Sequence, residues 1–270
     1  KCVGSYLGHP IFKVISLKVL PCVHSVKNST PEQKKVENEF SRLLKVAERT
    51  TGLYFSYDTN LTLSTQRLYD LGNESKMLPL WRQAEPRFLW NSYMLEALID
   101  KKLDPYLLPV VQGSIPYGTI NSSILWHEKR GADSEGHVAN FVETEQIIQI
   151  NGFTSSFVQV RGSIPFLWEQ IVDLTYKPKF EIVRPEEAPQ IAERHFLDLR
   201  KMYGSVLAVD LLNKICGHVH FERLSFLYDQ IADFLVKNGY FLLNEESEKM
   251  EQLGVVRTNC IDCLDRTNIT

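Results

Sequence analysis

Residues 253–268 combine side chains that are able to bind and cleave a phosphate ester. Their sequence is LGVVRTNCIDCLDRTN, in which five residues separate Cys260 from Arg266 and Thr267 follows. A tight loop of this spacing aims its backbone N–H groups and one guanidinium at a single phosphate. A helix that begins near Thr267 would add its positive end to the same point, so the loop would favour a thiolate at Cys260. Because the thiolate is the nucleophilic form of cysteine, the pattern predicts nucleophilic catalysis on a phosphate.

Two carboxylates, Asp262 and Asp265, lie inside the same loop, where they would repel an anionic substrate. Their presence requires a chemical role, and protonation of the leaving oxygen by a general acid is such a role. Asp262 is the first candidate for this acid because it lies in the middle of the loop. Asp265 is the second candidate, since it directly precedes Arg266 and could instead orient the guanidinium or cap the following helix.

The bare Cys-x5-Arg spacing is a weak signal, because chance alone produces it in roughly one sequence in four of this composition. The context strengthens it: apolar and β-branched residues before the loop suit a buried strand, and a hydroxyl follows Arg266. Cys260 and Cys263 could instead form half of a zinc site or a redox pair, but no second ligand pair with zinc spacing occurs in the sequence. We therefore predict no metal and no cofactor, since Arg266 and the loop N–H groups already supply positive charge.

Three stretches of the chain resemble the signature sequences of the Sac phosphoinositide phosphatases. They are residues 257–268 (RTNCIDCLDRTN), 140–146 (NFVETEQ) and 161–168 (RGSIPFLW). The likeness runs over most of the chain and is nearest to the Sac1-like members of the endoplasmic reticulum, particularly the plant branch. It implies an α/β (α+β) fold, with a mixed N-terminal subdomain over residues 1–125. A sheet-and-helix catalytic subdomain with the Cys-x5-Arg phosphate loop would follow over residues 126–270.

The resemblance implies hydrolysis of a ring phosphate of a phosphatidylinositol phosphate. The 4-phosphate is the first candidate substrate, followed by the 3-phosphate and the 3,5-bisphosphate. Cys260 would attack phosphorus and form a phosphocysteine, while Arg266 and the loop N–H groups hold the phosphate oxygens. Arg161 lies where a predicted strand ends before Gly-Ser, and the resemblance makes it a second phosphate clamp. The loop residues expected to contact the substrate are Ile261, Cys263, Leu264 and Thr267.

The expected partner is a phosphoinositide lipid at a membrane surface, with no obligate protein partner. A net charge of −3 argues against a nucleic-acid binder that works through bulk positive charge. Five cysteines favour reduced thiols in a cytosol-facing protein over a disulfide framework. No apolar run reaches membrane-spanning length, and the start lacks both Met and a signal-peptide pattern. The resemblance implies the endoplasmic reticulum membrane, with membrane segments beyond residue 270.

Two other classes of protein stay open. A protein tyrosine phosphatase shares the loop chemistry, although its Trp-Pro-Asp acid loop is missing from this sequence. An inactive Sac-like interaction protein is the other, because two segments near residues 113–128 and 213–217 are shorter than in Sac-family members. The first of these segments usually forms a strand, so we expect its shortening to leave neighbouring strands with unpaired backbone groups.

Periodicity predicts four helices, over residues 30–49, within 86–102, over 185–203 and over 224–234. The first helix is expected to bury an apolar face formed by Val36, Phe40, Leu43, Leu44 and Ala47. Strands are predicted at residues 53–57, 61–63, 106–112, 138–141, 145–149, 156–160, 206–212 and 241–243. Asn151-Gly152 predicts a hairpin turn, and Glu143 and Glu145 would share one strand face as structural carboxylates.

Overall fold

A computed structural model describes residues 1–19, 30–115, 119–123, 131–150, 152–170, 180–210, 223–244 and 249–259. The predicted catalytic loop, which begins at Cys260, lies outside the described residues. This applies to Cys260, Ile261, Asp262, Cys263, Leu264, Asp265, Arg266 and Thr267. The shortened segment at 213–217 lies outside them as well.

The chain divides into two compact units. The first contains Lys1–Leu61 and Leu78–Gly113, and the second contains Thr62–Met77 and Ser114–Thr270. The predicted boundary between residues 125 and 126 stays a prediction. The second unit also includes a segment that precedes part of the first unit in the sequence, and local sequence patterns give no sign of this interleaving.

The first unit is built on short antiparallel strands and helices. Its strands are β1 (Cys2–Tyr6), β2 (His9–Lys13), β3 (Leu53–Phe55) and β4 (Val111–Ser114), paired in that order. Its helices are α1 (Pro31–Ala47), α4 (Leu80–Gln83) and α5 (Ser92–Asp100), and single 3₁₀ turns lie at Pro86–Phe88 and Asp104–Tyr106. The predicted helices at 30–49 and within 86–102 are therefore confirmed, whereas the strand predicted at 106–112 begins only at Val111.

The start of α1 follows from its sequence. Thr30 Oγ1 accepts a hydrogen bond from the Gln33 N–H at 3.3 Å, and Gln33 Oε1 accepts one from the Thr30 N–H at 2.9 Å. This capping box pairs two N–H groups that a helix start otherwise leaves open, and Pro31 fits the first turn because it has no N–H to pair.

The prediction that α1 buries its apolar face is wrong. Phe40 is 58% exposed and Leu43 is 55% exposed, and no residue of the helix is buried against the described residues. The pattern defines which side of a helix is apolar, but burial also requires a second element to cover that side. Sequence periodicity contains no information on that second element.

Two other predicted strands are absent where they were expected. Residues 61–63 form a turn, in which Leu61 and Thr62 are buried. At residues 138–141 only Val138 makes a single β-bridge, with Ala132. Asn140 has a φ of 54°, which is a left-handed conformation that an extended strand does not adopt.

The second unit is built around a mixed sheet. Its strands are β5 (Thr119–Ser123), β6 (Val142–Ile150), β7 (Phe153–Gly162), β10 (Ser205–Asp210), β11 (Phe241–Leu243), β12 (Lys249–Met250) and β13 (Gly254–Asn259). A separate pair is β8 (Trp168–Gln170) with β9 (Phe180–Ile182). Its helices are α2 (Thr65–Asp70), α3 (Asn73–Lys76), α6 (Ala188–Tyr203) and α7 (Arg223–Asn238). The predicted helices at 185–203 and 224–234 and the strands at 145–149, 156–160, 206–212 and 241–243 correspond to elements of this unit.

The order of the strands corrects one expectation. β6 and β7 form the predicted antiparallel hairpin, with Ile150 opposite Phe153. β5 pairs antiparallel with β6 over its whole length, so the shortened segment at 113–128 still supplies a strand to the sheet. The expected loss of a strand at this position is therefore wrong, because five residues are enough to pair with the edge of β6.

The far edge of β7 pairs with two different strands. Near Phe153 it is antiparallel to β11, and near Gly162 it is parallel to β13, which is in turn parallel to β10. Between them the side chain of Gln252 takes the place of a strand residue. Its Oε1 accepts from the Val158 N–H at 2.8 Å, and its Nε2 donates to the Val158 carbonyl at 2.7 Å. Buried backbone groups at the fork are thereby paired.

Helices cover both faces of this sheet. Val256 points to the face covered by α7, where it packs with Val209 and Leu227. Because successive strand residues face opposite sides, Arg257 points to the other face, which is covered by α6. The protein therefore has an α/β fold, as predicted, with antiparallel strands in the first unit and a mixed sheet in the second.

Candidate active site

The candidate site lies at the carboxyl end of the parallel pair β7 and β13. β13 is buried along most of its length, which confirms the predicted strand before the loop. In the register of the pair, Thr258 lies beside Arg161 and Asn259 lies beside Gly162. Ligands of open α/β sheets bind at the carboxyl ends of parallel strands, so this is the end at which a site is expected.

Arg161 is the one predicted site residue among those the structure describes, and it is partly buried. It shares the face of Thr258, because paired strand residues point to the same side. Cys260 follows Asn259 in the sequence, and a peptide link keeps consecutive Cα atoms about 3.8 Å apart. The roles of Arg161 and the loop residues as clamp, nucleophile and acid stay predictions.

A second arginine, Arg257, lies beneath this end of the sheet and was missed by sequence reasoning. Its side chain is fully buried and donates to backbone carbonyls on both strands. Nη2 donates to the Ser163 carbonyl at 2.7 Å, and Nη1 donates to the carbonyls of Gly162 at 3.2 Å and Thr258 at 2.9 Å. Nη1 also donates to the side-chain oxygen of Asn259. Arg257 thus joins the end of β7 to the residue that precedes the loop.

The hydrogen bond from Arg257 Nε determines which ring nitrogen of His195 carries the proton. Arg257 Nε donates to His195 Nε2 at 3.2 Å, so Nε2 must be the unprotonated, accepting nitrogen of the ring. His195 Nδ1 lies 2.9 Å from the Gly136 carbonyl and therefore carries the ring proton. His195 is a neutral acceptor for the guanidinium in this arrangement.

The charge on Arg257 is held without help from a carboxylate among the described residues. Burial lowers the pKa of Arg257 to about 9, because desolvation disfavours the charged form. A pKa of about 9 still leaves the guanidinium protonated at neutral pH. Carbonyl dipoles therefore surround a positive charge at the carboxyl ends of β7 and β13.

Gly162 is required by this packing. A Cβ at residue 162 would lie 2.7 Å from Val138 Cγ2 and 3.1 Å from Arg257 Nη2. The Arg-Gly-Ser sequence therefore has a structural reason at its glycine, since a side chain there would push the guanidinium away from the Ser163 carbonyl.

Two features of the sequence could have identified Arg257 and His195 as buried partners. Arg257 interrupts the apolar run of β13, where a charged residue is unexpected. His195 lies four residues from both Ile191 and Leu199, and all three are buried on one face of α6. A charged or polar residue at a core position needs an internal partner, and each of these residues is the partner of the other.

Glu143 and Glu145 are structural carboxylates, as predicted, and they lie on the same sheet face as Arg257. Arg67 Nη2 donates to Glu143 Oε2 at 2.7 Å, and the Tyr203 hydroxyl donates to the same oxygen. The Thr65 N–H donates to Glu145 Oε1 at 2.8 Å. Together the two carboxylates fasten residues 62–77 to β6.

Glu145→Gln is expected to stabilise the protein above neutral pH. Burial is the largest cause that raises the pKa of Glu145 to about 7, from 4.5. The folded protein thus holds a proton that the unfolded chain releases between those values, so wild-type stability falls as pH rises through this interval. The loss is at most about 3 kcal/mol. Urea unfolding at pH 5 and pH 8 should show a variant-minus-wild-type difference that grows with pH.

Glu143→Gln is the matched control for this experiment. It removes the charge that pairs with Arg67, whose side chain is 21% exposed, so it should destabilise the protein at pH 8 by roughly 1–3 kcal/mol. Equal stability of wild type and Glu145→Gln at both pH values would contradict the assignment of a buried, proton-binding Glu145.

Within the described ranges, no group of three or more His, Cys, Asp and Glu side chains could hold a metal ion. None of the helices in those ranges is both long and apolar enough to cross a membrane.

A mixed sheet with helices on both faces, whose parallel strands lead into a Cys-x5-Arg sequence, defines an α/β protein with a candidate phosphate site. The family model described as SacI homology domain matches the chain over residues 1–128 and 125–253. The chain belongs to the SacI homology domain family.

Named relatives agree with this membership. The phosphoinositide phosphatase SAC7 of Arabidopsis thaliana is 64% identical over 320 residues, covering 99% of this chain and 53% of the relative. The phosphoinositide phosphatase SAC8 of the same plant is 43% identical, covering 99% of this chain and 54% of the relative. The phosphatidylinositol-3-phosphatase SAC1-B of Danio rerio is 34% identical, covering 100% of this chain and 55% of the relative.

The chain spans about half the length of the curated relatives it matches. The region aligned with SAC7 covers 320 residues, which is longer than the 270 residues of this chain. The aligned part of this relative therefore contains residues that have no counterpart in this chain, and the positions of the shortened segments stay a prediction.

Proposed function

We propose that this chain is the catalytic part of a phosphoinositide phosphatase, which hydrolyses a ring phosphate of a phosphatidylinositol phosphate at a membrane surface. The substrate proposed first is the 4-phosphate, with the 3-phosphate and the 3,5-bisphosphate as further candidates. The observation that carries the proposal is the parallel register of β7 and β13. This register brings Arg161 beside the strand that leads into Cys260 and Arg266.

In the first step the Cys260 thiolate attacks phosphorus, so that an S–P bond forms as the bond from phosphorus to the inositol oxygen breaks. Asp262 gives its proton to that oxygen, which leaves as the inositol hydroxyl. Arg266 and the loop N–H groups hold the non-bridging oxygens and stabilise the charge of the transition state. Arg161 adds a second positive charge from the neighbouring strand.

In the second step a water molecule attacks the phosphocysteine. The Asp262 carboxylate, which lost its proton in the first step, accepts a proton from this water. The S–P bond breaks, inorganic phosphate leaves and the Cys260 thiolate is restored. No oxidant, reductant or metal enters either step, because hydrolysis of a phosphate ester needs only the nucleophile, the acid and positive charge.

Phosphate release from a panel of phosphoinositides in phosphatidylcholine vesicles tests the proposal. The panel holds each monophosphate and bisphosphate, and a phosphotyrosine peptide is assayed beside it. We expect release from the phosphoinositides, fastest from the 4-phosphate, and little from the peptide. Release from the peptide alone would favour a protein tyrosine phosphatase. A folded protein that releases no phosphate from any of these substrates would favour an interaction protein.

Arg161→Gln should weaken phosphoinositide hydrolysis without unfolding the protein. A charge-assisted hydrogen bond to phosphate contributes roughly 1.5–3 kcal/mol, so kcat/KM should fall about 10- to 200-fold. The control is Arg42→Gln, because Arg42 is 73% exposed in its pair with Glu39 on α1. A large fall in melting temperature, with unchanged activity per folded molecule, would show that Arg161 is structural instead.

A further inference from the structure

Arg257 has five N–H donors, and its acceptors come from three different parts of the second unit: β7 and the residue after it, β13, and α6. Its guanidinium donates to the carbonyls of Gly162 and Ser163 on β7 and beyond its end. It also donates to the Thr258 carbonyl and the Asn259 side chain on β13. The two groups of acceptors flank the point where the sequence enters the Cys-x5-Arg loop. Arg257 thus fixes the distance between the segment that carries Arg161 and the residue before Cys260.

The geometry requires the planar fork of arginine. The acceptors lie in different directions around the guanidinium, and Nε, Nη1 and Nη2 each donate to at least one of them. A lysine ammonium at the same position has one nitrogen and cannot reach both strands and α6 at once. Arg257→Lys therefore removes the fork and keeps the positive charge, whereas Arg257→Met removes both.

His195 holds the fork in a single orientation. Its Nδ1 proton is directed at the Gly136 carbonyl, so Nε2 is left to accept from Arg257 Nε. His195 is buried on α6, between Ile191 and Leu199. The ring is thus fixed by its helix on one side and by a backbone carbonyl on the other, and Arg257 cannot rotate without losing this bond.

We propose that Arg257, with His195 as its fixed acceptor, is the positioning residue of the catalytic loop. It holds the Arg161–Ser163 segment and Asn259 in register through its hydrogen bonds to both strands. A displacement of about 1 Å in such a frame can lower a reaction rate on the order of 100-fold. The expected effect of Arg257 on the rate of hydrolysis rests on the proposed phosphatase function. The expected effect on the reactivity of Cys260 does not.

The test measures the reactivity of Cys260 towards iodoacetamide at pH 7, by mass spectrometry of the labelled peptides. Cys2 is exposed and distant in sequence, so it is the internal reference in the same molecule. Arg257→Lys and Arg257→Met are compared with wild type. The matched control is Gln252→Ala, which leaves the Val158 N–H and carbonyl unpaired in the same sheet but away from the loop.

We expect both Arg257 variants to label about three- to tenfold more slowly at Cys260 and at an unchanged rate at Cys2, since a displaced loop no longer holds its N–H groups and Arg266 around Cys260 and therefore leaves less thiolate. Their phosphoinositide kcat should fall at least about tenfold with little change in KM, because Arg257 does not touch the substrate. Gln252→Ala should change neither quantity per folded molecule. Equal effects of Gln252→Ala and Arg257→Lys, or no effect of Arg257→Lys on Cys260, would overturn the proposal.

A second pair of variants tests the positioning role if the Arg257 variants do not fold. His195→Phe keeps a ring but has no acceptor for Arg257 Nε, whereas His195→Gln offers its Oε1 near the position of Nε2. We expect His195→Phe to slow labelling of Cys260 about threefold or more and His195→Gln to restore most of the wild-type rate. Equal labelling in the two His195 variants would overturn the proposal.

The outcomes separate this inference from the proposed function. A wild-type protein that labels faster at Cys260 than its Arg257 variants, yet releases no phosphate, would contradict the function and support the positioning role. A wild-type protein that hydrolyses phosphoinositides while labelling is unaffected by Arg257→Lys would support the function and overturn the positioning role.

Discussion

Cys260→Ser is expected to abolish phosphate release from phosphoinositide vesicles while vesicle binding persists. A serine hydroxyl does not ionise near neutral pH, so the nucleophile is lost although the loop keeps its N–H groups and Arg266. Removal of a catalytic nucleophile typically lowers kcat on the order of 10⁴-fold or more. The measurement is phosphate release together with sedimentation of the protein on vesicles that contain phosphatidylinositol 4-phosphate.

Cys263→Ser is the control for this experiment, because it makes the same chemical change three residues further along the loop. It should cost far less activity, since its offset directs the side chain away from the phosphate. An equal loss from both serine variants would indicate a dithiol or metal role for the two cysteines and would refute Cys260 as the nucleophile.

Asp262→Asn should lose most activity on the lipid and retain much more on para-nitrophenyl phosphate. An acid matters most when the leaving group is a poor one, such as an inositol alkoxide, and least when the leaving group is a stable anion. We expect kcat/KM on the lipid to fall on the order of 10²- to 10⁴-fold, the usual contribution of general acid catalysis. The measurement is kcat/KM of the variant on both substrates.

Asp265→Asn provides the comparison, because Asp265 directly precedes Arg266 and would orient the guanidinium. It should lower kcat/KM on both substrates by a similar factor, since a misplaced Arg266 weakens every phosphate transition state. If Asp265→Asn instead shows the dependence on the leaving group, the roles assigned to the two carboxylates are exchanged.

Elements with a strong local pattern were predictable. α1 begins at Pro31 because Thr30 and Gln33 form a capping box, and all three residues are neighbours in the sequence. β13 was predictable as a buried strand because it carries the apolar, β-branched residues Val255 and Val256 near its start. The β6–β7 hairpin follows from a short turn with a glycine at positive φ, Gly152. In each case the determining contacts lie within a few residues.

Predictions failed where an outcome depended on a distant part of the chain. The apolar face of α1 required a covering element that no described residue supplies, so Phe40 stays exposed. Val138 and Phe141 have side chains that suit a strand, but the left-handed Asn140 between them ends the extended backbone, and only Val138 finds a partner, Ala132. The shortened segment still forms β5, because the edge of β6 is available for pairing.

The sequence by itself predicted the chemistry of this protein, from a Cys-x5-Arg sequence after a strand, an arginine at the end of another strand and the resemblance to the Sac family. Tertiary structure alone decided that Arg161 and Asn259 lie at the same end of a parallel pair, and that Arg257 and His195 meet beneath it. The physical reason is the separation along the chain over which each interaction acts. Residue types and capping act over a few neighbours, whereas strand register and buried hydrogen bonds join residues that are 62 to 95 positions apart, such as Arg257 with His195 and Gly162.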